Sequence, residues 1–287
     1  MPTTAEQAQQ QANAQRKAYI AQGFDLVAGT FDTVNGDFFN GLGARLVQLA
    51  GVRPGDRVLD LGCGRGAVLF AAAAAVGPDG YAAGIDLSPE MVHATAAEIA
   101  RRGLRNVAVR VDDAEDPGFP ARSFEAVLAG LMLFITPDPA AALVAAHRLL
   151  TTGGRFAMTT FGPADPRWER PLRAALAFQE PPQPPASTGA GRGGNGLLDA
   201  PEDIAELLGR AGFTEVATVD EELVTTTEPD EWWASAWSSG RRAALELIPV
   251  ERREDARKAA LAELELLAVD GVLTRHSVIR YTTADKE

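Results

Sequence analysis

The residues best suited to chemistry form a glycine-rich loop directly after a short apolar run. Residues 60–66 read Asp-Leu-Gly-Cys-Gly-Arg-Gly and follow Val58 and Leu59. Glycine lets a backbone turn tightly and approach a ligand without a Cβ in the way. A helix that begins after such a loop offers its free N–H groups to the ligand. The pattern therefore predicts a binding loop for a small molecule between a strand and a helix.

The loop alone leaves two ligand classes open. Gly62, Gly64 and Ala67 satisfy G-x-G-x-x-G/A, the dinucleotide fingerprint, so an NAD(P)-dependent oxidoreductase is one alternative. Asp60 counts against it, because a strand end at this position is normally apolar. A buried carboxylate is costly unless it has a partner. A ligand with a cationic group or an amine would supply that partner.

The same segment resembles motif I, D/E-x-G-x-G-x-G, of the class I S-adenosylmethionine-dependent methyltransferases. Further motifs follow in the family's order: Asp86 ends the second predicted strand, Asp113 and Ala114 end the third, and residues 149–154 resemble the turn into strand five. Residues 24–32 resemble the start of the ubiquinone/menaquinone-biosynthesis type. The resemblance covers about residues 24–161 and implies S-adenosylmethionine as cofactor and S-adenosylhomocysteine as product.

By this resemblance, Asp86 would hold the ribose hydroxyls, Leu87 and Met91 would flank the adenine, Asp113 would meet the adenine amine, and Ala114 would pack on the ring. The full set of residues expected at the cofactor is Asp60, Gly62, Cys63, Gly64, Gly66, Asp86, Leu87, Met91, Asp113, Ala114 and Gly130.

Two departures from the family pattern bear on the acceptor. Phe24 and Phe31 stand where relatives often have Tyr, and residues 130–134 (Gly-Leu-Met-Leu-Phe) stand where relatives often have His or Trp. Both make the predicted catalytic surface more apolar, which puts a quinone-like acceptor in doubt and favours a small apolar or aromatic metabolite. The expected acceptor-binding residues are Phe31, Phe38, Met132, Phe134, Trp168 and Trp233.

Methyl transfer requires the nucleophile and the methyl group to be held in line. A hydroxyl or carbon acid also needs a base. His276 and Glu169 are the two candidates, because His276 opens the last predicted strand and an acid beside Trp168 could have a raised pKa. O-methylation is favoured, then C- or N-methylation. The absence of a clear base keeps open a non-catalytic binding protein on this fold. No residue cluster has metal-ligand spacing, so no metal is predicted.

Strands that alternate with helices predict an α/β fold with βαβ units. With the resemblance, the expectation is a Rossmann-like, seven-stranded, mostly parallel sheet with helices on both faces and an antiparallel last strand. The predicted strands are 57–61, 81–85, 107–111, 124–129, 155–161, 215–226 and 276–283. The main predicted helices are 67–75, 89–102, 140–150, 201–211, 229–248 and 251–268, and residues 4–22 are expected to form a polar helix or a flexible arm. Gly153 and Gly154 should end the helix at 140–150, and one or two short amphipathic helices are expected between residues 24 and 49.

The predicted organisation is an N-terminal helical arm and cap (1–50), a cofactor-binding core (51–161), a Pro/Gly-rich insertion without regular structure that forms a lid (162–198), and a C-terminal part that completes the sheet (199–287).

Composition limits the possible partners. The net charge is −12, and residues 201–287 hold 19 acidic and 10 basic residues, which argues against nucleic acid. The single cysteine, Cys63, rules out an internal disulfide framework. The N-terminus lacks the apolar core of a signal peptide, and no apolar run is long enough for a bilayer. We therefore expect a cytoplasmic protein, a monomer or homodimer, that acts on a small-molecule methyl acceptor away from membranes.

Overall fold

A computed structural model describes residues 4–180 and 198–287, apart from the side chains of residues 4–6 and 33–37. The α-helices are α1 (Thr4–Asp25), α2 (Phe31–Ala50), α3 (Ala67–Val76), α4 (Pro89–Arg102), α5 (Pro139–Leu149), α6 (Arg170–Leu176), α7 (Pro201–Arg210), α8 (Pro229–Trp237), α9 (Arg242–Leu245) and α10 (Arg253–Glu265). The strands are β1 (Arg57–Leu61), β2 (Tyr81–Asp86), β3 (Val107–Val111), β4 (Phe124–Gly130), β5 (Leu150–Phe161), β6 (Thr214–Thr227) and β7 (Leu273–Asp285).

The seven strands form one sheet in the order β3-β2-β1-β4-β5-β7-β6. The pairs from β3 to β5 are parallel, and β7 runs antiparallel to both β5 and β6. Asp60 lies opposite Gly84, and Leu61 lies opposite Ala129, so the loops after β1, β2 and β4 leave the sheet at the same end. We call this the carboxyl end of the sheet. The predicted fold class, including the antiparallel last strand, is confirmed.

The sheet is covered by apolar side chains on both faces. Leu143 of α5 and Leu208 of α7 belong to one buried cluster, and Leu46 of α2 and Leu69 of α3 belong to the other. Four of the five residues of β1 are buried, as expected for a central parallel strand with helices on both sides. Among the described helices, none combines the length and the apolar character that a membrane crossing requires.

The predicted start and end of α4 are confirmed. The hydroxyl of Ser88 accepts a hydrogen bond from the N–H of Met91 at 3.0 Å, and Pro89 occupies the first helical turn. Gly103 adopts a left-handed conformation with φ of 67° and donates to the carbonyl of Ala100. These local signals place the helix directly after Asp86, at the carboxyl end of the sheet.

The helix predicted at 140–150 does not end at Gly153 and Gly154, so this prediction is wrong. Helix α5 ends at Leu149, and β5 already begins at Leu150. The two glycines lie inside β5, where the pairing with β4 shifts register and Gly153 has φ of 77°. The strand absorbs them as an irregularity, a conformation for which glycine is suited.

The prediction of no regular structure over residues 162–198 is also wrong in its first part. A 3-10 turn at Pro166–Glu169 leads into α6, because Asp165 caps the N–H of Arg167 at 2.9 Å and Pro166 fits the first turn. The Pro/Gly-rich residues 181–197 lie outside the described residues.

The predicted helix at 229–248 is interrupted, because the chain turns at residues 238–241 between α8 and α9. Ser238, Ser239 and Gly240 favour such a turn over a continuous helix. The predicted helix at 251–268 begins with a 3-10 turn at Val250–Arg252 and ends earlier, at Glu265.

Helices α6, α8, α9 and α10, with the turn at residues 166–169, form what we call the helical lobe. Its buried cluster includes Leu172, Trp232, Leu245 and Leu264, together with Leu273 at the start of β7. The lobe therefore attaches to the sheet through β7, at the carboxyl end.

Helices α2 and α3 approach closely at Gly43, where an added Cβ would lie 2.4 Å from the carbonyl oxygen of Ala67. We predict that Gly43→Ala lowers the free energy of unfolding by ~1–3 kcal/mol, since the backbones must separate. Gly41→Ala in the same helix is the matched control, because its Cβ meets nothing within 4 Å. It should stabilise the chain by ~0.5–1 kcal/mol. Denaturant unfolding measures both, and equal effects would contradict the prediction.

Candidate active site

The glycine loop lies at the carboxyl end of β1, and its three glycines all have positive φ: 62° at Gly62, 48° at Gly64 and 87° at Gly66. A Cβ on Gly62 would come within 2.9 Å of Met132, and one on Gly66 within 2.4 Å of the ring of Phe70. A Cβ on Gly64 would meet nothing within 4 Å. Two of the glycines thus serve packing, while Gly64 faces open space.

Asp86, at the end of β2, holds this loop. Its Oδ2 accepts the N–H of Gly64 at 2.8 Å, and its Oδ1 accepts the N–H of Ser88 at 2.9 Å. Burial raises the pKa of Asp86, and these two hydrogen bonds partly oppose the rise. Each oxygen has a second lone pair for a ligand hydroxyl. The hydroxyl of Thr95 donates to the carbonyl of Gly64 at 2.8 Å, a contact that sequence patterns did not reveal.

Asp60 is 2% exposed, and neither of its carboxylate oxygens forms a hydrogen bond with the described residues. Burial, followed by the charge of Asp86, raises the pKa of Asp60 well above its ordinary range, and only the N–H of Leu69 acts against the rise. Burial also raises the pKa of Cys63, whose side chain packs under Gly84. The site therefore presents a buried carboxylate that has no cationic partner among the described residues.

Asp113 has partners that the sequence did not suggest. Lys17 of α1 donates to its Oδ2 at 2.6 Å and also forms an ion pair with Glu115. Its Oδ1 accepts the N–H of Glu115 at 2.9 Å. Burial alone would lower the pKa of Lys17, but the hydrogen bonds to both carboxylates raise it overall. Ala114 is buried in the core beside this acidic turn. Lys17 already occupies Oδ2 of Asp113, so a contact between Asp113 and adenine would have to form alongside this ion pair.

Helix α1 is also attached at the start of α4. Asp25 accepts the hydroxyl of Ser88 at 2.5 Å and the N–H of Glu90 at 3.1 Å. Met91, which is 1% exposed, packs against Val27 just after α1. Leu87 is half-buried nearby in the chain. The N-terminal arm thus closes over the end of β2.

A second charged group of the loop, Arg65, was not predicted as a site residue. Its Nη2 lies 3.0 Å from Asp32 at the start of α2, whereas its Nε and Nη1 are buried without a partner among the described residues. The loop therefore contains an incompletely satisfied cation as well as the acid Asp60.

An apolar wall follows β4 and β5. The rings of Phe134 and Phe161 lie 5.7 Å apart, and Met132 contacts the position of Gly62. Leu131 has φ of 51°, rare for a branched side chain, and its N–H donates to the hydroxyl of Thr159 at 2.9 Å. Such strain is typical of functional sites.

Gly130 packs closely, since its Cβ would lie 2.7 Å from Val68. The backbone before the wall therefore needs glycine for contact with α3.

The remaining predicted acceptor residues fall into two groups. Phe31 stacks on Phe39 at 4.8 Å, and Phe38 meets Phe39 edge-on at 5.0 Å, at the start of α2. Trp168 and Trp233 instead pack in the helical lobe. Trp233 contacts Trp237 edge-on at 6.0 Å, so the two share a helix face.

The two predicted bases are not brought to this wall by any described contact. His276 is exposed and lies 2.8 Å from Oε1 of Glu222 on the neighbouring strand, and Glu169 is exposed and pairs with Arg173. Their role as bases stays a prediction without support from these contacts. Within the described part of the chain, no three metal-ligating side chains cluster.

A glycine loop after β1, an acid after β2 and a sheet of this strand order define the cofactor-binding arrangement of the class I methyltransferases. The comparisons with known proteins agree. The sequence profile of the family described as "Methyltransferase domain" matches residues 53–179. The YcgJ protein of Bacillus subtilis has a similar structure, with a TM-score of 0.59 and 16% identity, covering 86% of this chain and 98% of that one.

Two relatives are more similar in sequence. Nocamycin O-methyltransferase of Saccharothrix syringae is 39% identical over 91% of this chain and 96% of its own. Aklanonic acid methyltransferase DauC of Streptomyces sp. (strain C5) is 39% identical over 69% of this chain and 92% of its own. The chain belongs to the S-adenosylmethionine-dependent methyltransferases that act on small molecules, as the sequence motifs predicted. S-Adenosylmethionine is its cofactor.

Because Asp60 has no hydrogen-bond partner among the described residues, its replacement should have opposite effects on stability and on ligand affinity. Because the folded chain raises the pKa above the ordinary 3.8, Asp60 favours folding when protonated, and this contribution is lost as the pH rises through the folded-state pKa. At pH 7, Asp60→Asn should raise the free energy of unfolding of the cofactor-free protein by ~1–3 kcal/mol. It should also weaken S-adenosylhomocysteine binding at least ~10-fold. Thermal unfolding and calorimetry measure the two.

Asp79→Asn, on an exposed turn, should change neither quantity. If Asp60→Asn destabilised the protein, Asp60 would have a partner within the protein. If the affinity for S-adenosylhomocysteine were unchanged, Asp60 would not bind this ligand.

The open space at Gly64 gives a further prediction. Gly64→Ala should cost ~1–2 kcal/mol of stability because of its left-handed backbone. The variant should nevertheless fold, and it should bind S-adenosylhomocysteine at least ~10-fold more weakly because the methyl group occupies the ligand space. Gly66→Ala is the contrasting variant, since its methyl group would collide with Phe70 and unfold the loop. Normal affinity in folded Gly64→Ala would remove Gly64 from the ligand site.

Proposed function

We propose that the enzyme methylates an oxygen atom of a small, apolar or aromatic metabolite by in-line transfer. The observation that carries this proposal is the similarity to nocamycin O-methyltransferase, which extends over 96% of that protein and is not confined to the cofactor-binding core. C- and N-methylation are the alternatives. The acidic surface supports an acceptor that is not a nucleic acid, and we propose a monomer or homodimer.

The residues at the carboxyl end of the sheet fit the proposed cofactor. Asp60 would pair with its amine, Arg65 with its carboxylate and Asp86 with its ribose hydroxyls, because each has unused hydrogen-bonding capacity. Gly64 would permit close approach. S-Adenosylmethionine, when bound, supplies a methyl group on a good leaving group. Leu87, Met91, Asp113 and Ala114 are proposed around the adenine, with Lys17 beside Asp113.

The acceptor would lie above the carboxyl end of the sheet, the usual crevice in open α/β folds. Met132, Phe134 and Phe161 would form its apolar wall and exclude water. We keep the proposed division of the chain: a cap (1–50), a core (51–161), a lid (162–198) and a part that completes the sheet (199–287). The helical lobe would cover the acceptor from the side of β7.

The three histidines bear on the atom that is methylated. His93 and His276 are exposed, and burial lowers the pKa of His147, which packs beneath Gly212 away from the loop. An acceptor oxygen that is ionised near neutral pH needs no protein base. A carboxylic acid, an acidic phenol or an enol therefore fits the site better than an alcohol.

The test uses methyl-labelled S-adenosylmethionine and a panel of aromatic carboxylic acids, phenols and enolisable diketones, with amines for comparison. We expect label in O–CH3 groups, identified by NMR, and none with Asp60→Asn at the same cofactor concentration. Label found only on nitrogen or carbon would contradict O-methylation.

Two variants test the predicted bases in the same assay. His276→Ala and Glu169→Gln should keep kcat within about threefold of the parent enzyme, whereas loss of a general base typically costs ~10²–10⁴-fold. A loss of that size, with unchanged cofactor affinity, would restore the affected residue as the base.

A further inference from the structure

Two arginines near the helical lobe lack an acidic partner among the described residues. Arg241 precedes α9, and its Nε is buried without a hydrogen-bond partner. Burial, and then the charge of Arg275, lowers the pKa of Arg241 to about 10, so it stays charged at neutral pH. Burial also lowers the pKa of Arg275 on β7. Like charges that influence each other in a buried place are unfavourable unless an anion joins them.

Other half-buried arginines of the lobe form ion pairs with carboxylates. Arg242 and Arg253 both bind Glu246, and Arg257 binds Asp230 at 2.5 Å. Residues 201–287 also have 19 acidic side chains, so carboxylates are plentiful in this part of the chain. Among the residues that the structure describes, the lack of an acidic partner at Arg241 and Arg275 is therefore a local feature of the fold and not a consequence of composition.

Both arginines lie on the side where the acceptor is proposed to bind. Ile279 of β7 pairs with Phe161, the last residue of β5, and Arg275 lies four residues further out from the carboxyl end of the sheet. At the other arginine, a Cβ on the adjacent Gly240 would lie 3.7 Å from Phe24 in α1. The guanidinium of Arg242 binds the carbonyl of Leu26 at 2.8 Å. The neighbours of Arg241 in the chain thus contact the N-terminal arm, while the rings beside the two arginines, Trp232 and Trp168, belong to the same cluster of the lobe.

A tryptophan ring lies next to the guanidinium group of each of these two arginines. The guanidinium of Arg275 lies 5.6 Å from the ring of Trp168, and that of Arg241 lies 5.7 Å from the ring of Trp232. Such stacking orients guanidinium groups and leaves their N–H groups free to donate. An organic anion on an aromatic or apolar framework matches both features.

We propose that Arg241 and Arg275 form an anion-binding site that receives a carboxylate or an ionised enol of the methyl acceptor, separate from the oxygen that is methylated. The proposal rests on the proposed function and adds the charge of the substrate and two residues that recognise it. Trp168, predicted as an acceptor-binding residue, then acts by orienting Arg275. The two guanidinium groups would bind the acid with charge-assisted hydrogen bonds.

The test uses a matched pair of probes, 2-naphthoate and 2-naphthamide, which share the ring system and differ in charge. Binding is measured by ligand-observed NMR titration on the full chain saturated with S-adenosylhomocysteine. We expect 2-naphthoate to bind at least ~10-fold more tightly than the amide. Arg241→Met and Arg275→Met should each remove this preference, and Arg241→Lys and Arg275→Lys should retain part of it.

Arg257→Met is the control, because it removes the same charge from the same lobe at a residue already paired with Asp230. It should leave the preference for 2-naphthoate intact. Equal binding of both probes, no detectable binding of 2-naphthoate, or an undiminished preference in both Met variants would overturn the proposal. Displacement of 2-naphthoate by an equal concentration of sulfate would also overturn it, since the site would then prefer inorganic anions.

Calorimetry with S-adenosylhomocysteine separates this proposal from the proposed function. If the cofactor product binds normally and the probes show no charge preference, the anion site fails while the methyltransferase assignment stands. If the cofactor product does not bind, the failure lies in the proposed cofactor site.

Discussion

This site depends on a buried carboxylate, Asp60, that has no counter-charge among the described residues. Asp60 and Asp86 end neighbouring parallel strands, and the register of β1 and β2 holds their side chains at the same end of the sheet. Asp86 accepts hydrogen bonds from the N–H groups of Gly64 and Ser88, whereas for Asp60 only the N–H of Leu69 opposes the rise in pKa. Folding alone therefore leaves an unfavourable electrostatic arrangement in the centre of the sheet, which a cationic ligand relieves. Several other features of the structure serve to preserve this arrangement.

The loop can present such a ligand site only because its backbone is held from several directions. Asp86 accepts a hydrogen bond from the N–H of Gly64, and Thr95 donates one to the carbonyl of Gly64. Helix α1 is attached to the start of α4 through Asp25. Lys17 joins the same helix to the acidic turn after β3. The N-terminal arm thus contributes ion pairs and hydrogen bonds at the ends of two strands. These contacts explain why a polar helix is attached firmly to the core.

Much of this could be predicted from sequence, for identifiable reasons. The strands from β1 to β4 are short apolar runs closed by glycines or acids, and α4 has both a Ser88 cap and a Gly103 end, so local signals suffice there. They fail where tertiary contacts decide. Gly153 and Gly154 look like a helix end, yet pairing with β4 draws them into β5. The need of Asp60 for a cation followed from its position alone, whereas the ion pair between Lys17 and Asp113 joins residues 96 positions apart and leaves no local pattern.

The charge distribution also has a consequence for substrate selection. The C-terminal part of the chain is strongly acidic, and its long-range field opposes the approach of anions. At physiological ionic strength that field is screened beyond ~8 Å, so an acceptor that reaches the cleft experiences mainly the nearest groups. Those nearest groups would be Arg241 and Arg275, which lack acidic partners among the described residues. A compact acceptor that places an acidic group at this local pair would be attracted there, whereas an extended polyanion would remain in contact with the acidic surface. Selection of a small organic acid and exclusion of nucleic acid would thus follow from the same distribution of charge.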